Sequence, residues 1–365
     1  MTTPLSIVIV GLSLSSSWGN GHATTYRALI RGLHALGHRV TFLERDVPWY
    51  AENRDLPDPD FCSLITYETV AELTSGHGAL LSGADLVMIG SYVPEGIAVI
   101  DAVAPLVSGV FCFYDIDTPV TLVALKGRGC DYLDPCQIPL FDAYYSFSGG
   151  PTLRRLESDF GAWHALPLYC AVDAERYRPT GEAYDWDLGY LGTYSPDRQP
   201  ALDAMLLDVA RSLPDRRFVV AGPQYPDEID WPSNVDRIGH LAPADHASFY
   251  SRQKFTLNIT RRDMATAGWS PSVRLFEAAA CGTPVISDAW PGLGDFFPIG
   301  KAIQVADGTD AVVELIDRMP EGDRRTMADC ASRIVAAGHT GEARAHQFIR
   351  TIEALSPRVG RGRAA

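Results

Sequence analysis

Strand-then-helix alternation runs through this chain twice, and no other feature constrains its fold as tightly. LSIVIVG (5–11) reads as a strand, and after a Gly-rich turn ATTYRALIRGLHALG (23–37) places apolar residues at helical spacing before a terminal Gly. RVTFLE (39–44), ADLVMIGS (84–91), GVFCFYD (109–115), DAYYSF (142–147) and HALPLY (164–169) continue the strands, with helical patterns such as TLRRLESDF between them. Strands separated by helices pair in parallel, so the expected fold is α/β, a parallel sheet wrapped by helices. Residues 171–186, AVDAERYRPTGEAYDW, are polar, contain Pro and Gly, and have no apolar period. The alternation then restarts with DLGYLG (187–192), RFVVAG (217–222), VDRIGHL (235–241), FTLNIT (255–260), TPVISD (283–288) and AIQV (302–305). The spacing predicts two doubly wound domains, 1–174 and 175–345, then a terminal helix and basic tail over 346–365. Ligands of open parallel sheets bind at the carboxyl ends of the strands, so tandem domains predict an interdomain cleft.

A chain of 365 residues is long enough for two such domains. The formal net charge of −14 repels phosphate backbones, so nucleic acid is not an expected partner. Seven cysteines form no CxxC pair and no metal-ligand spacing, and most stand in apolar strings such as AAACG. That usage fits a reducing cytoplasm. MTTPLSIVIVGLS has no basic leader region and reads as a first strand. No apolar run reaches the roughly 20 residues of a membrane span, which leaves only peripheral membrane contact open. Lysine occurs at three positions (126, 254 and 301), so any work on phosphate falls to arginine.

One segment, GWSPSVRLFEAAACGTPVIS (268–287), looks like a buried helix running into a buried strand, yet it carries Arg274 and Glu277. Ser270 suits an N-cap, Pro271 the first helical position and Gly282 the C-cap, which predicts a helix over 271–281. At 100° per residue Ser270, Arg274 and Glu277 share one stripe, with Ser272 also in the first turn. A helix start with a hydroxyl and a cation suits a phosphate, and a carboxylate further along suits a diol. A solvent-facing Arg–Glu pair at i, i+3 would account for the same spacing.

SVRLFEAAACGTPVIS resembles the donor-binding helix of GT-B-fold glycosyltransferases. The Arg274-x-Phe276-Glu277 version, with Asn258 and Arg261 upstream in LNITRR, is similar to the CgeB-like branch of that superfamily. The resemblance covers the second domain through GYLGTYSPDRQ, FVVAGP and RIGHLAPADHASFY. It implies that Glu277 binds a nucleotide ribose and that Gly192 and Thr193 face a diphosphate. It further implies that Gly239, His240 and Leu241 meet the base, and that Arg198, Arg261, Ser270, Ser272 and Arg274 complete the donor site. Many relatives carry an acid eight positions before the Glu, where this chain has Trp269. Retaining enzymes of the fold often pair an Arg with a Lys near the first turn, and this chain offers Arg198 without a Lys.

The first domain carries SLSSSWGNGHATTY after its first strand. Gly19 and Gly21 allow close approach, and His22 stands at a helix start. This strand–helix–strand opening is similar to that of many GT-B enzymes. In some inverting members a His here removes the acceptor proton, and an Asp about a hundred residues later holds it. Asp115 and Asp117 in FCFYDIDTPVTL are the candidates, a neutral imidazole backed by a carboxylate being a sound base. A helix-start His bonded to the backbone, and an Asp117 that caps a helix beginning at Thr118-Pro119, are the structural alternatives. Glu95, Gly149, Gly150 and Thr152 are further candidates for acceptor or loop contacts. Asp115-Ile116-Asp117 also spells the DxD with which GT-A enzymes hold a divalent metal, but a second Rossmann-like half favours GT-B. The resemblance thus implies a metal-independent hexosyltransferase with a nucleoside-diphosphate sugar as co-substrate and no cofactor. A nucleotide-sugar epimerase or a non-catalytic nucleotide-sugar-binding protein are the rival readings.

Overall fold

The computed structural model describes residues 3–18 and 21–355. They form two compact units. One holds the described residues through Ala171 together with those from Gly341 on, and the other is Val172–Thr340.

The first unit is built on a parallel sheet of β1 (Ser6–Gly11), β2 (Arg39–Arg45), β3 (Ser63–Tyr67), β4 (Leu86–Gly90), β5 (Val110–Asp115), β6 (Ala143–Ser146) and β7 (Ala165–Pro167). Their order is β3-β2-β1-β4-β5-β6-β7. Ile7, Val8, Ile9 and Val10 are buried on both faces of β1, which is why the strand reads as an unbroken apolar run. Each such side chain contributes roughly 1.5–3 kcal/mol of burial. β3 lies outside the expected strands. It is an edge strand with only Tyr67 fully buried, so SLITY lacks the continuous apolar signal of its neighbours.

The second unit holds β8 (Trp186–Leu191), β9 (Phe218–Ala221), β10 (Val235–Ile238), β11 (Gln253–Asn258), β12 (Val285–Ser287) and β13 (Gln304–Val305), in the order β10-β9-β8-β11-β12-β13. Strand order reverses between β1 and β4 in one sheet and between β8 and β11 in the other. Loops leaving the carboxyl ends of such a pair splay apart and leave a ligand-sized crevice.

The last helix corrects an expectation. It spans Gly341–Glu353 and belongs to the first unit, whereas the sequence reading set residues 346–365 apart from both domains. It packs on the first helix, Gly21–Ala35, at a pair of glycines. A Cβ on Gly32 would stand 2.3 Å from the Gly341 carbonyl oxygen, and one on Gly341 would stand 2.0 Å from that of Ala28. The expected basic tail, 358–365, lies outside the described residues.

Candidate functional site

In the second unit, the loops after β8 and β11 carry most of the candidate donor residues. Helix Val273–Ala280 begins later than expected, and its N-cap residue is Ser272. Ser270 does not cap it: the residue is buried and its Oγ donates to the Gly268 carbonyl at 3.0 Å. The cause is Pro271, which biases its predecessor to extended backbone and delays the first helical turn. Ser272 Oγ instead donates to Asn258 Oδ1 at 2.8 Å.

Arg274 and Glu277 do not form the solvent-facing pair that their spacing allowed. Both are buried, 9% and 4% exposed, and each has its own partners. Arg274 Nε donates to the Leu191 carbonyl at 2.7 Å, and Nη1 to Asn258 Oδ1 at 3.0 Å. Asn258 is wholly buried at the end of β11 and donates on to Ser287 Oγ at 2.9 Å. One amide thus ties strand, helix and guanidinium together. Glu277 Oε2 accepts from Tyr250 Oη at 3.3 Å, and Tyr177 Oη is hydrogen-bonded to His246 Nδ1 at 3.1 Å. Burial, and then Glu277, push both phenols above their usual range, so they stay protonated donors.

Arg198 follows β8 and donates through Nη2 to the Thr193 carbonyl at 2.7 Å. Its Nε is buried without a hydrogen-bond partner. Burial lowers this guanidinium below its ordinary value, and the nearby Arg274 and Arg261 lower it further. Arg261 is exposed just before helix Arg262–Ala267. Among the described residues no carboxylate forms an ion pair with Arg198, Arg261 or Arg274. Three like charges gather at a strand switch point, one with an orphaned donor, an arrangement chemically suited to an anion.

Two glycines let the backbone close around these arginines. A Cβ on Gly192 would come within 2.7 Å of Tyr190 Oη and 3.1 Å of Arg274 Nη2. Gly222 has φ +139°, and its Cβ would stand 2.1 Å from the Gly192 carbonyl oxygen. Arg237, which sequence reasoning missed, lies between the rings of Tyr225 and Trp231 at 4.3 and 4.2 Å. It donates to the Val220 and Gly222 carbonyls, and Tyr225 Oη donates to that of Gly192 at 3.1 Å. The aromatic pair in YPDEIDW was the available signal. Gly239 and His240 are exposed and Leu241 is half-buried, in the loop leaving β10. Trp269 stands at φ +43° where many relatives carry an acid, and its indole N–H donates to Asp295 Oδ2 at 2.6 Å.

In the first unit, Glu44 closes β2 and is fully buried. It accepts from the Leu14 and Ser15 N–H groups at 2.7 and 2.9 Å, and from the Ser13 and Ser15 hydroxyls at 3.0 and 2.6 Å. This one carboxylate, also missed, orders the loop that leads to His22. An acid ending the apolar run VTFLE was its only mark.

His22 is the second residue of helix Gly21–Ala35, and its Nε2 lies 3.7 Å from Asp117 Oδ2. The ring meets Tyr92 edge-on at 5.2 Å. Asp117 occupies the N-cap position of helix Thr118–Lys126 but makes no side-chain cap bond. Its carboxylate faces the histidine. Asp115, in contrast, does not hold His22. It is wholly buried, and accepts from Tyr144 Oη at 2.6 Å, Thr121 Oγ1 at 2.8 Å and the Asp117 N–H at 3.2 Å. Burial raises its carboxyl to about 6. With Asp115 turned inward, the two acids of the DxD do not converge on a shared ligand position.

Glu95, at φ +54°, is ion-paired with Arg45. Gly21 is exposed, and Gly150, at φ +56°, opens helix Pro151–Phe160 over a buried Thr152. Gly19 lies outside the described residues. No helix among the described residues is long and apolar enough to cross a membrane.

Residues 198–350 match the family model described as glycosyl transferase-like. A D-inositol 3-phosphate glycosyltransferase of Mycolicibacterium smegmatis is 29% identical over 169 residues, which cover 43% of this chain and 38% of that relative. The chain therefore spans about two fifths of the length of the curated relative it matches. Sucrose-phosphate synthase of Thermosynechococcus elongatus superposes with a TM-score of 0.67 at 15% identity, over 96% of this chain and 98% of that one. HepE of Anabaena, solved in complex with UDP and glucose, superposes with a TM-score of 0.66 at 14% identity, over 96% and 100%. The fold is GT-B, with two Rossmann-like units.

Proposed function

We propose that this chain, which carries a glycosyl transferase-like domain within a GT-B fold, moves a hexosyl group from a nucleoside-diphosphate sugar to an acceptor hydroxyl without a metal ion. The observation that carries this reading is the group of Arg198, Arg261 and Arg274, none of them in an ion pair among the described residues, in a chain of net charge −14. A diphosphate is the ligand such a group fits, and Glu277 on the same helix suits the ribose diol. The UDP bound by HepE makes a uridine nucleotide the first donor to try.

In the reaction, an acceptor oxygen forms a bond to the anomeric carbon while the bond from that carbon to the diphosphate oxygen breaks. Charge builds on the diphosphate, and the three guanidinium groups stabilise it. The acceptor proton passes to His22, whose imidazolium Asp117 stabilises. Asp115 serves this pair from behind, holding the backbone N–H of Asp117. A single displacement of this kind inverts the anomeric centre. The Arg274-x-Phe276-Glu277 pattern resembles that of the CgeB-like branch.

The test is a panel of nucleoside-diphosphate sugars, assayed by product NMR before and after exhaustive chelation. Transfer or hydrolysis that survives chelation, with inversion, supports the reading. Activity that vanishes with the metal and returns with Mn²⁺ overturns metal independence. An altered donor sugar without transfer makes the chain an epimerase. His22→Ala should lower turnover by about 10²–10⁴; near-normal turnover would assign the base elsewhere.

A further inference from the structure

The carboxyl edge of the first unit's sheet differs from that of the second in both charge and aromatic exposure. Trp18, in the loop after β1, is 45% exposed, and Trp49, after β2, is 60% exposed. Tryptophan offers a large apolar face with a polar handle, which suits it to contacts where one side is apolar and the other wet. These two indoles do not hang on slack chain. The Asp55 and Leu56 N–H groups donate to the Ser15 carbonyl at 3.1 and 2.9 Å, and Ser16 Oγ donates to the Asn53 carbonyl at 2.8 Å. The two loops are thereby one surface, next to the helix that begins at Gly21.

The cations of this surface are all spoken for. Arg27 pairs with Asp55, Arg54 with Asp46 and Arg45 with Glu95. Burial pulls Asp55 upward, yet its bonds to Arg27 and Ser17 hold its carboxyl down at about 2, so that pair stays charged and closed. Glu44 and Asp117 add two further carboxylates. An anionic acceptor would meet closed ion pairs and further carboxylates here, whereas among the described residues the arginines after β8 and β11 form no ion pair, although Asp197 lies near Arg198 and Arg261.

We infer that the acceptor is an uncharged molecule that lays the apolar face of a ring on Trp18 and Trp49, and that phosphorylated acceptors are rejected. This deepens the transferase reading and rests on it for the word acceptor. The ring chemistry could come from a sugar, through its C–H face, or from an arene.

Tryptophan emission of the full chain, titrated without donor, tests the inference apart from turnover. The neutral probes are methyl β-D-glucoside and phenyl β-D-glucoside, which separate sugar face from arene. The anionic probes are phenyl phosphate and D-inositol 3-phosphate. A saturable change with a neutral probe is expected, several-fold to tenfold weaker in Trp49→Ala and Trp18→Ala, with the anions at least tenfold weaker than the best neutral probe. Tighter binding of either anion overturns the inference. So does the lack of a saturable change with both neutral probes, or unchanged neutral binding in the Trp18→Ala/Trp49→Ala double variant. UDP calorimetry run alongside reports on the donor reading separately: a chain that binds neutral rings but no nucleotide fails as a transferase and keeps its ring preference.

Discussion

Asp115 and Glu277 are both buried carboxylates, set in different surroundings. Asp115 is shut in, and its carboxyl is raised to about 6. Above the unfolded chain's value near 3.8, the folded protein keeps a proton there that the unfolded chain has released. Stability should therefore fall as pH climbs from about 4 to about 6, by about 3 kcal/mol from this residue. Asp115→Asn should flatten that slope, as urea unfolding at several pH values will show; an unchanged slope would place the titration elsewhere. Glu277 lies on the donor side of the reading. Glu277→Gln keeps the acceptor for Tyr250 but loses the charge, so UDP affinity by calorimetry should drop ten- to hundredfold with little change in unfolding midpoint. Unchanged affinity would assign Glu277 to structure, as the partner of Tyr250. Arg274, Glu277 and His22 were legible because charge within an apolar run, or at a helix start, needs a reason. Asn258 and Glu44 were not, since their parts depend on donors brought from distant segments.

At the scale of elements, the alternation of apolar runs marked twelve of the strands, because parallel strands covered on both faces have no polar register to hide the run. β3 escaped because an edge strand is half-buried, and the helix start at 273 was misplaced because a serine before proline looks like a cap. The turns were harder still. Gly192 and Gly222 are 30 residues apart, yet their backbones touch, and only the fold reveals why both must lack a side chain. Gly222→Ala meets two obstacles at once, a φ of +139° and a Cβ placed 2.1 Å from a carbonyl oxygen. The β8 and β9 turns must separate to admit it. UDP affinity should then fall by tenfold or more, with a loss of about 1–3 kcal/mol in stability. Retained affinity would show that the Gly192 turn can move without disturbing the site, and would remove that turn from the donor reading.

For the whole molecule, the sequence does not say where the chain finally goes. An amphipathic helix advertises that one face is buried and says nothing about which surface buries it. Here Gly341–Glu353 returns to the first unit, with Phe348, Ile349 and Ile352 buried, and Tyr145 Oη bonding to Thr351 Oγ1. The first unit thus joins the described residues through Ala171 with those from Gly341 on, while all eleven candidate donor residues fall within the continuous span Val172–Thr340. Two perturbations should therefore act on separate parts of the hydrogen-exchange map. Gly341→Val, whose side chain would collide with the Ala28 backbone, should speed exchange in helices Gly21–Ala35 and Gly341–Glu353. Saturating UDP in the unaltered chain should slow exchange at the ends of β8, β9 and β11 and in helix Val273–Ala280, with up to about 2.7 kcal/mol of added stability at a hundredfold excess over Kd. Protection by UDP confined to the first unit would refute the assignment of the donor to the second. A valine at 341 that leaves the first helix as protected as before would mean that the glycine contact is dispensable and that the apolar face of the last helix alone holds the two ends of the chain together.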